Sequence, residues 1–176
     1  MGTTIHSTMR IHGYIDHFTD WSGRCLSWLT LLMMCLLCTV VILRYVFEIG
    51  AVGIQESVTY LHSTIFMLGA AYTLKQDGHV RVDIFYRKYS PRTKAWVNSL
   101  GGIIFLLPLC VYIFIVSWEF VAQSWRIGEV STEAGGLPAV FLLKTLIPVM
   151  AINLALQAIA EILRNTMILI TGNPHG

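Results

Sequence analysis

Four long runs free of Asp, Glu, Lys and Arg constrain the fold of this chain more than any other feature. They cover residues 25–43, 57–74, 95–118 and 145–160. A helix needs about 20 largely apolar residues to cross the hydrocarbon of a bilayer. The last run is short, but residues 134–143 precede it with only Lys144 between the two stretches. Because a lysine near a helix end can extend its amine to the headgroups, the sequence predicts four transmembrane spans.

The composition agrees with a membrane protein and excludes several other classes. Hydrophobic residues make up 55% and charged residues 12% of the 176 residues, against roughly 45–50% and about 25% in a soluble domain. A disordered chain, a coiled coil, a nucleic-acid-binding domain and an ordinary soluble enzyme are therefore excluded. The net charge of +2 is too small to indicate a polyanionic partner such as nucleic acid.

The spans are expected to be helical. The runs are continuously apolar and too long for the alternating strands of a membrane barrel, which have about 9–11 residues. We therefore expect an all-α integral membrane protein with a single membrane domain, residues 1–176. Its four transmembrane helices are predicted at 25–47, 54–76, 95–125 and 138–165. The segments 1–24 and 78–90 are predicted to lie at the membrane interface.

The distribution of Lys and Arg predicts the orientation of the chain. With four spans, the N-terminus, the middle loop and the C-terminus share one side, and that side carries nine of the 12 Lys and Arg residues. Because basic residues are retained on the inner side, both termini are predicted to be cytoplasmic. The opposite face is mildly acidic. Its glutamates are Glu48, Glu56, Glu119, Glu129 and Glu133.

Two amphipathic segments are predicted to rest on the membrane surface. In segment 1–24, apolar residues recur at i, i+3, i+4 and i+7 from Ile11, which is typical of an interfacial helix. A plain extension of the first transmembrane helix is the alternative. In segment 78–90, aromatic and aliphatic residues are mixed with basic ones. We expect a short helix there, with its basic groups on anionic phospholipid headgroups.

The third helix has a start signal and is too long to run straight. Ser90 followed by Pro91 is typical of an N-cap and a first helical position. A helix from Pro91 to residue 126 would extend about 54 Å, more than the roughly 40–45 Å of a bilayer with its headgroups. Such a helix must tilt, bend or protrude, and Gly101, Gly102 and Pro108 are the expected bend points.

Polar residues inside the spans are candidate contact sites. Glu56 begins the second span, and an acid inside a membrane is a functional candidate. We expect it to make a helix-packing or subunit contact, with a proton or cation site as the alternative. The fourth helix carries a polar stripe, which should avoid lipid and face another helix, in this chain or in another subunit. The stripe consists of Asn153, Gln157, Glu161 and Arg164.

Redox or haem chemistry is an alternative that rests on few residues. Cys35 and Cys38 form a C-x-x-C pattern, but they lie in mid-span without a second pair, and His62 has no second histidine within a span. We therefore expect buried, inert thiols and a packing histidine. The sequence also has no phosphate loop, G-x-S-x-G or H-E-x-x-H motif. We predict no catalytic residue, no cofactor and no metal site.

The stretch 66–83 is the most distinctive part of the sequence. It resembles the small membrane subunit, of DctQ type, of tripartite ATP-independent periplasmic (TRAP) transporters. In that family, Gly-Ala at the end of the second helix leads into a His-hydrophobic-x-Val-Asp turn, here starting from Gly69 and running from His79 to Asp83. Glu56 stands where the family has an acid early in the second helix. Further similarities lie at residues 131–138, Lys144 and Pro148.

The resemblance implies a division of labour among three proteins. A periplasmic solute-binding protein captures a solute, commonly an organic acid, and a large membrane subunit moves it by an elevator mechanism driven by sodium. The small subunit scaffolds the large one in the inner membrane of a bacterium or archaeon. This chain has neither the repeat nor the paired broken helices of a secondary transporter, which agrees with an accessory role. A four-helix redox or haem subunit and a stand-alone small efflux transporter are the alternatives.

The resemblance and the polar pattern together give the candidate sites. Contacts with another subunit or with lipid are predicted for Glu56, Ser63, Gly69, His79, Arg81, Asp83, Lys144, Asn153 and Gln157. Docking of the binding protein is predicted for Glu129 and Glu133 in the acidic outer loop. The expected partners are therefore the large TRAP membrane subunit, the periplasmic solute-binding protein and membrane phospholipids.

Overall fold

The structure is a computed structural model that describes residues 2–78, 86 and 88–171, with side chains from residue 13 to residue 170 of those ranges. Within that part of the chain all regular structure is helical. The elements are α1 (Gly2–Tyr45), α2 (Val52–Lys75), α3 (Pro91–Gly101), a π-helical segment (Gly102–Leu106), α4 (Leu107–Ile127) and α5 (Val140–Thr171). The predicted all-α fold is confirmed.

Three helical stretches among the described residues are long and apolar enough to cross a membrane. They are Gly13–Tyr45, Pro91–Ile127 and Val140–Ile170. α2 is outside this set, although its 24 residues would extend about 36 Å. It contains Gln, Glu, His and several Ser and Thr residues, which lower its mean hydropathy. A membrane protein with several spans is thus supported. That α2 also crosses the membrane, which would give four spans, stays a prediction, as does the cytoplasmic location of both termini.

α5 lies at the centre of the bundle. It contacts α1, α2, α3, the π-helical segment and α4, while α2 contacts both α1 and α5. The buried side chains of α5 are small or polar, and include Ala151, Gln157, Ala158, Ala160 and Asn165. Small residues let helix backbones approach closely in a membrane. α2 can therefore carry polar residues because two flanking helices shield much of it from lipid.

α1 packs against the rest of the bundle along one narrow seam. The seam residues, half-buried or buried, are Leu26, Leu29, Met33, Leu36, Val40 and Leu43. Their alternating spacing of three and four residues is that of a coiled-coil seam. Many large apolar side chains on the other faces of α1 are exposed. Because α1 is continuous from Gly2 to Tyr45, residues 2–24 of the predicted interfacial segment and residues 25–45 of the predicted first span belong to one helix.

The long third helix contains an irregularity at the expected place. α3 begins as predicted, because the Ser90 hydroxyl accepts a hydrogen bond from Thr93 N at 3.2 Å and a proline follows it. The π-helical segment starts at Gly102, and Pro108 lies just beyond it. Proline lacks an amide donor and crowds the preceding turn, and a π-helical turn can absorb such a defect. A Cβ on Gly102 would lie 3.0 Å from Ile162 Cγ1, so this glycine also permits a close approach to α5.

The connection between α4 and α5 is a folded loop, residues 128–139. Gly128 ends α4 in the left-handed conformation, with φ +57°, which favours a residue without Cβ. The amide of Ser131 donates to the carbonyl of Leu137 at 3.1 Å, so the loop returns on itself. The loop thus has a defined shape where it reaches the start of α2.

Candidate functional site

Glu56 joins the start of α2 to the loop 128–139. The Ser131 hydroxyl donates to Glu56 Oε1, and the Leu137 amide donates to Glu56 Oε2 at 2.6 Å. Both carboxylate oxygens therefore accept hydrogen bonds from the loop, and such bonds to a charged acceptor are stronger than neutral ones. We call these three residues the Glu56 cluster. Within this chain, Glu56 anchors the loop.

Two glycines let the loop close around the carboxylate. Gly135 has φ +81°, a conformation that a residue with a Cβ rarely adopts. A Cβ on Gly136 would lie 2.8 Å from Glu56 Oε1, too close for a stable contact. Sequence reasoning identified Glu56 but not the partners of its carboxylate. The Gly135-Gly136 pair was the available signal for a turn at this point.

Lys144 and Glu129 form a second contact near the same loop. Lys144 Nζ lies 2.5 Å from Glu129 Oε2, and the two side chains are 21% and 29% exposed. The same ammonium lies 4.0 Å from the ring centre of Phe120, close enough for a cation–π contact. The hydrogen bond from Lys144 lowers the pKa of Glu129 below its ordinary value. The pair therefore holds the loop against α4 and α5.

Five polar residues from three helices meet near the end of α2. They are Asp16, Thr19 and Asp20 of α1, Lys75 of α2 and Gln157 of α5, and we call them the Lys75 cluster. Thr19 Oγ1 donates to Gln157 Oε1 at 2.8 Å, and Gln157 Nε2 donates to Asp16 Oδ1 at 3.1 Å. Gln157 and Thr19 are buried, at 0% and 1% exposure. Both ends of the Gln157 amide thus link α5 to α1.

Lys75 completes this cluster by joining α2 to α1. Its Nζ lies 2.6 Å from Asp20 Oδ2 and donates to the backbone carbonyl of Asp16 at 2.8 Å. The Lys75 side chain is 14% exposed and that of Asp20 is 38% exposed. A largely buried ammonium needs such partners. Separation of α2 from α1 at this end would therefore leave the Lys75 ammonium without them.

The polar stripe of α5 faces neighbouring helices of this chain over part of its length. Asn153 Nδ2 donates to the carbonyl of Leu68 in α2 at 3.3 Å, and Gln157 bonds to α1. Farther along, Arg164 Nη2 pairs with Glu161 Oε2 at 2.7 Å. The sequence left open whether the partner helix belonged to this chain or to another subunit. For Asn153 and Gln157, the structure gives partners inside the chain.

The other predicted contact residues have varied surroundings, and their roles stay predictions. Ser63 Oγ donates to the carbonyl of Thr59 within α2 at 2.8 Å. A Cβ on Gly69 would lie 3.9 Å from Leu26 Cδ1, an ordinary contact distance. Glu133 is exposed on the loop. Outside the described residues lie His79, Arg81, Asp83 and most of the segment 78–90.

Sequence reasoning missed four members of the Lys75 cluster: Asp16, Thr19, Asp20 and Lys75. The available signal was a pair of acids four residues apart just before the first span and a lysine at the end of the second. Because the connection between these helices is short, they run antiparallel and bring those positions to the same end of the bundle.

The residues considered for redox or haem chemistry are not assembled into a site. Cys35 and Cys38 are free and exposed on α1, so the prediction that they are buried was wrong. They lie outside the seam along which α1 packs against the bundle. His62 stacks on Phe66, with ring centres 6.4 Å apart. Among the described residues, no group of three His, Cys, Asp or Glu side chains could hold a metal ion.

A cleft of about 480 Å³ lies beside the π-helical segment. Its lining includes Leu74, Tyr86, Asn98, Gly102 and Glu161. Asn98 Nδ2 donates to the Tyr86 hydroxyl at 3.0 Å, which connects α3 to the residues before it. The Asn98 and Tyr86 side chains in this cleft are thus bonded to each other, and they contribute to the packing of α3 against its surroundings.

Comparison with known proteins gives one family. Residues 33–167, well over half of the chain, match the family described as "Tripartite ATP-independent periplasmic transporters, DctQ component". No curated protein and no solved structure matches the chain. The matched range includes the Glu56 cluster, Lys75 and Gln157, whereas Asp16, Thr19 and Asp20 precede it. The family resemblance deduced from the stretch 66–83 is confirmed.

Proposed function

The chain belongs to the DctQ family of tripartite ATP-independent periplasmic transporter components, and we propose that it is the small permease subunit that scaffolds the large elevator subunit of a sodium-coupled transporter. The components of this family work with a large membrane subunit and a periplasmic binding protein. The proposed cargo is an organic acid that the binding protein delivers. In this proposal the chain provides shape and contacts, and it has no catalytic role.

The scaffold role is supported by the polar contacts that hold α2 at both of its ends. At one end Lys75 pairs with Asp20 of α1, and at the other Glu56 holds the loop through Ser131. A secondary transporter instead gathers broken helices and binding groups near the bilayer midplane. Bonds at the ends of α2 suit a subunit that keeps its shape while another subunit moves.

The proposed membrane placement follows the charge distribution. We propose four spans in the inner membrane, with α2 as the second and the Lys75 cluster on the cytoplasmic side, because most Lys and Arg residues lie on that side. The segment 78–90 would then contact phospholipids or the large subunit. On the periplasmic face, Glu133 is exposed and available to the binding protein, while Glu129 bonds to Lys144.

Co-purification tests this proposal directly. The tagged chain is co-expressed with the large membrane subunit of its own transporter and extracted in a mild detergent. We expect a stable complex of the two membrane proteins. Recovery of a homo-oligomer of this chain alone would contradict the scaffold role.

Transport in proteoliposomes tests the coupling and the cargo. The two membrane subunits are reconstituted together, the periplasmic binding protein is added outside, and uptake of a panel of radiolabelled organic acids is measured. We expect uptake that needs an inward sodium gradient, the binding protein and this chain. Equal uptake by the large subunit without this chain would contradict the scaffold role. Uptake without a sodium gradient would contradict the proposed sodium coupling.

A further inference from the structure

α2 has one exposed face, formed by Gln55, Thr59, His62 and Phe66. These positions follow i, i+4, i+7 and i+11, so they lie in line on a single helix face. They are the exposed residues of α2, since the other residues of Val52–Lys75 are half-buried or buried against the bundle. Phe66 is 71% exposed. We call this face the α2 stripe.

The polar groups of the α2 stripe differ from three serine and threonine hydroxyls of the same helix. Ser57, Ser63 and Thr64 donate to backbone carbonyls one turn earlier, each at 2.8 Å. Among the described residues, no side-chain hydrogen bond joins Gln55, Thr59 or His62 to a partner. These three hydroxyls are therefore satisfied within α2, whereas the side chains of the stripe have donors and acceptors that can bond to a partner.

Lipid is a poor cover for this face. His62 lies near the middle of the 24-residue helix α2, at the depth of the hydrocarbon if α2 spans the bilayer. An unbonded polar group costs free energy there, and ionisable residues within spans usually face protein or water. The exposed faces of α1 and α4 are different, because they present large apolar side chains such as Leu32 and Ile115 that lipid tails can cover.

We propose that the α2 stripe is the surface on which a membrane helix of the large subunit packs. This inference rests on the proposed function, since the family works with a large membrane subunit. The partner helix would bond to His62 and Thr59 near mid-membrane and cover the Phe66 ring. The stripe is one helix wide between flanking helices, which fits a single partner helix. A second copy of this chain and lipid alone are the competing occupants.

Photo-crosslinking in native membranes tests the surface. Phe66 is replaced by benzoyl-phenylalanine, and Phe105 of the π-helical segment is the matched control, because the two phenylalanines are 71% and 74% exposed. We expect irradiation to join position 66 to the large subunit, with a yield well above that of position 105. An adduct of two copies of this chain, no adduct at position 66, or equal yields at the two positions would each overturn the proposal.

Co-purification of the large subunit in the same membranes separates the two hypotheses. If the wild-type chain retains the large subunit but position 66 gives no adduct to it, the surface is wrong and the scaffold role stands. If the wild-type chain does not retain the large subunit, the proposed function fails, and this inference fails with it.

Substitution of the polar pair gives an independent measurement. The double variant Thr59→Val, His62→Leu should retain the large subunit about three- to thirtyfold less tightly, since it removes hydrogen bonds between helices. Thr39→Val is the control, because Thr39 is exposed on α1 and its hydroxyl bonds to the Cys35 carbonyl at 2.9 Å. Unchanged retention by a double variant that keeps the wild-type thermal unfolding midpoint would overturn the proposal. If that variant does not fold, the crosslink at position 66 decides.

Discussion

Lys75 Nζ lies 2.6 Å from Asp20 Oδ2, and this ion pair ties the end of α2 to α1. The lysine side chain is only 14% exposed, and its ammonium also donates to the Asp16 carbonyl. Gln157 Nε2 of α5 donates to Asp16 Oδ1, so three helices meet here. The contact explains why a lysine and an aspartate placed far apart in the sequence stabilise the same end of the bundle.

Removal of the Lys75 ammonium should destabilise the bundle. For Lys75→Met we expect the free energy of unfolding to fall by about 1–3 kcal/mol, because Asp20 and the Asp16 carbonyl lose their donor in a half-buried place. Unfolding in mixed micelles with increasing SDS measures the change. Arg126→Met is the control, since Arg126 and Glu119 form an exposed pair at 66% and 74% exposure, which contributes about 0–1 kcal/mol. Equal effects of the two substitutions would contradict the prediction.

Thr19 and Gln157 should be energetically coupled. In a double-mutant cycle with Thr19→Val and Gln157→Leu, we expect a coupling energy of about 0.5–2 kcal/mol, because their buried hydrogen bond joins α1 to α5. The same SDS unfolding assay measures each variant. Thr166→Val should be additive with Gln157→Leu, since the Thr166 hydroxyl bonds to the Ile162 carbonyl within α5. Additivity in the first cycle would show that the hydrogen bond does not link the helices in the folded protein.

Glu56→Gln should loosen the loop 128–139. A glutamine has one acceptor oxygen and brings an amide donor to a place where Ser131 and Leu137 both donate. We expect faster hydrogen exchange of the Leu137 amide, measured by mass spectrometry of the peptide that contains it. Glu133→Gln in the same loop is the matched control, because the Glu133 side chain is exposed and should leave the Leu137 amide protected. Equal protection in both variants would exclude Glu56 as the anchor.

The Glu129–Lys144 pair should make stability depend on pH. The Lys144 hydrogen bond lowers the pKa of Glu129 in the folded protein, so folding favours the ionised carboxylate. The contribution of this pair to the free energy of unfolding is present above the pKa of the unfolded carboxyl group, about 4.3. It is lost as the pH falls through the lowered pKa of the folded protein. We therefore expect wild type to exceed Glu129→Gln in thermal stability at neutral pH, with a difference that shrinks under acid conditions.

A second carboxyl variant controls the pH experiment. Glu119→Gln removes an exposed glutamate that is 74% accessible and pairs with Arg126. Its difference from wild type should be small at every pH, because solvent screens an exposed pair. A difference between wild type and Glu129→Gln that stays constant from neutral to acid pH would contradict the link between Glu129 ionisation and folding.

Local sequence signals predicted several features correctly. The start of α3 at Ser90 depends on a side chain three residues from its donor, and the irregularity at Gly102 depends on a nearby proline. Both features are decided by residues that are close along the chain, so the local sequence is sufficient to predict them. The apolar runs predicted the helices for the same reason, and the stretch 66–83 was enough to indicate the family.

The pairings between helices could not be predicted in the same way. Sequence reasoning expected Cys35 and Cys38 to be buried, but the structure leaves both exposed. It expected Gln157 to face some helix and could not choose between this chain and another subunit. In each case the outcome depends on how a helix is rotated about its axis, and that rotation is fixed by contacts between residues far apart in sequence.

The sequence by itself determined that this protein is helical, strongly apolar and related to one transporter component family, because transfer of apolar residues into lipid and capping of helices are local properties. Only the tertiary structure decided that Glu56 anchors the loop, that Lys75 pairs with Asp20, and that no other helix of this chain covers the α2 stripe among the described residues. The physical reason is that a hydrogen bond between helices needs a donor and an acceptor within about 3 Å. Helix packing, and not spacing along the chain, sets that distance.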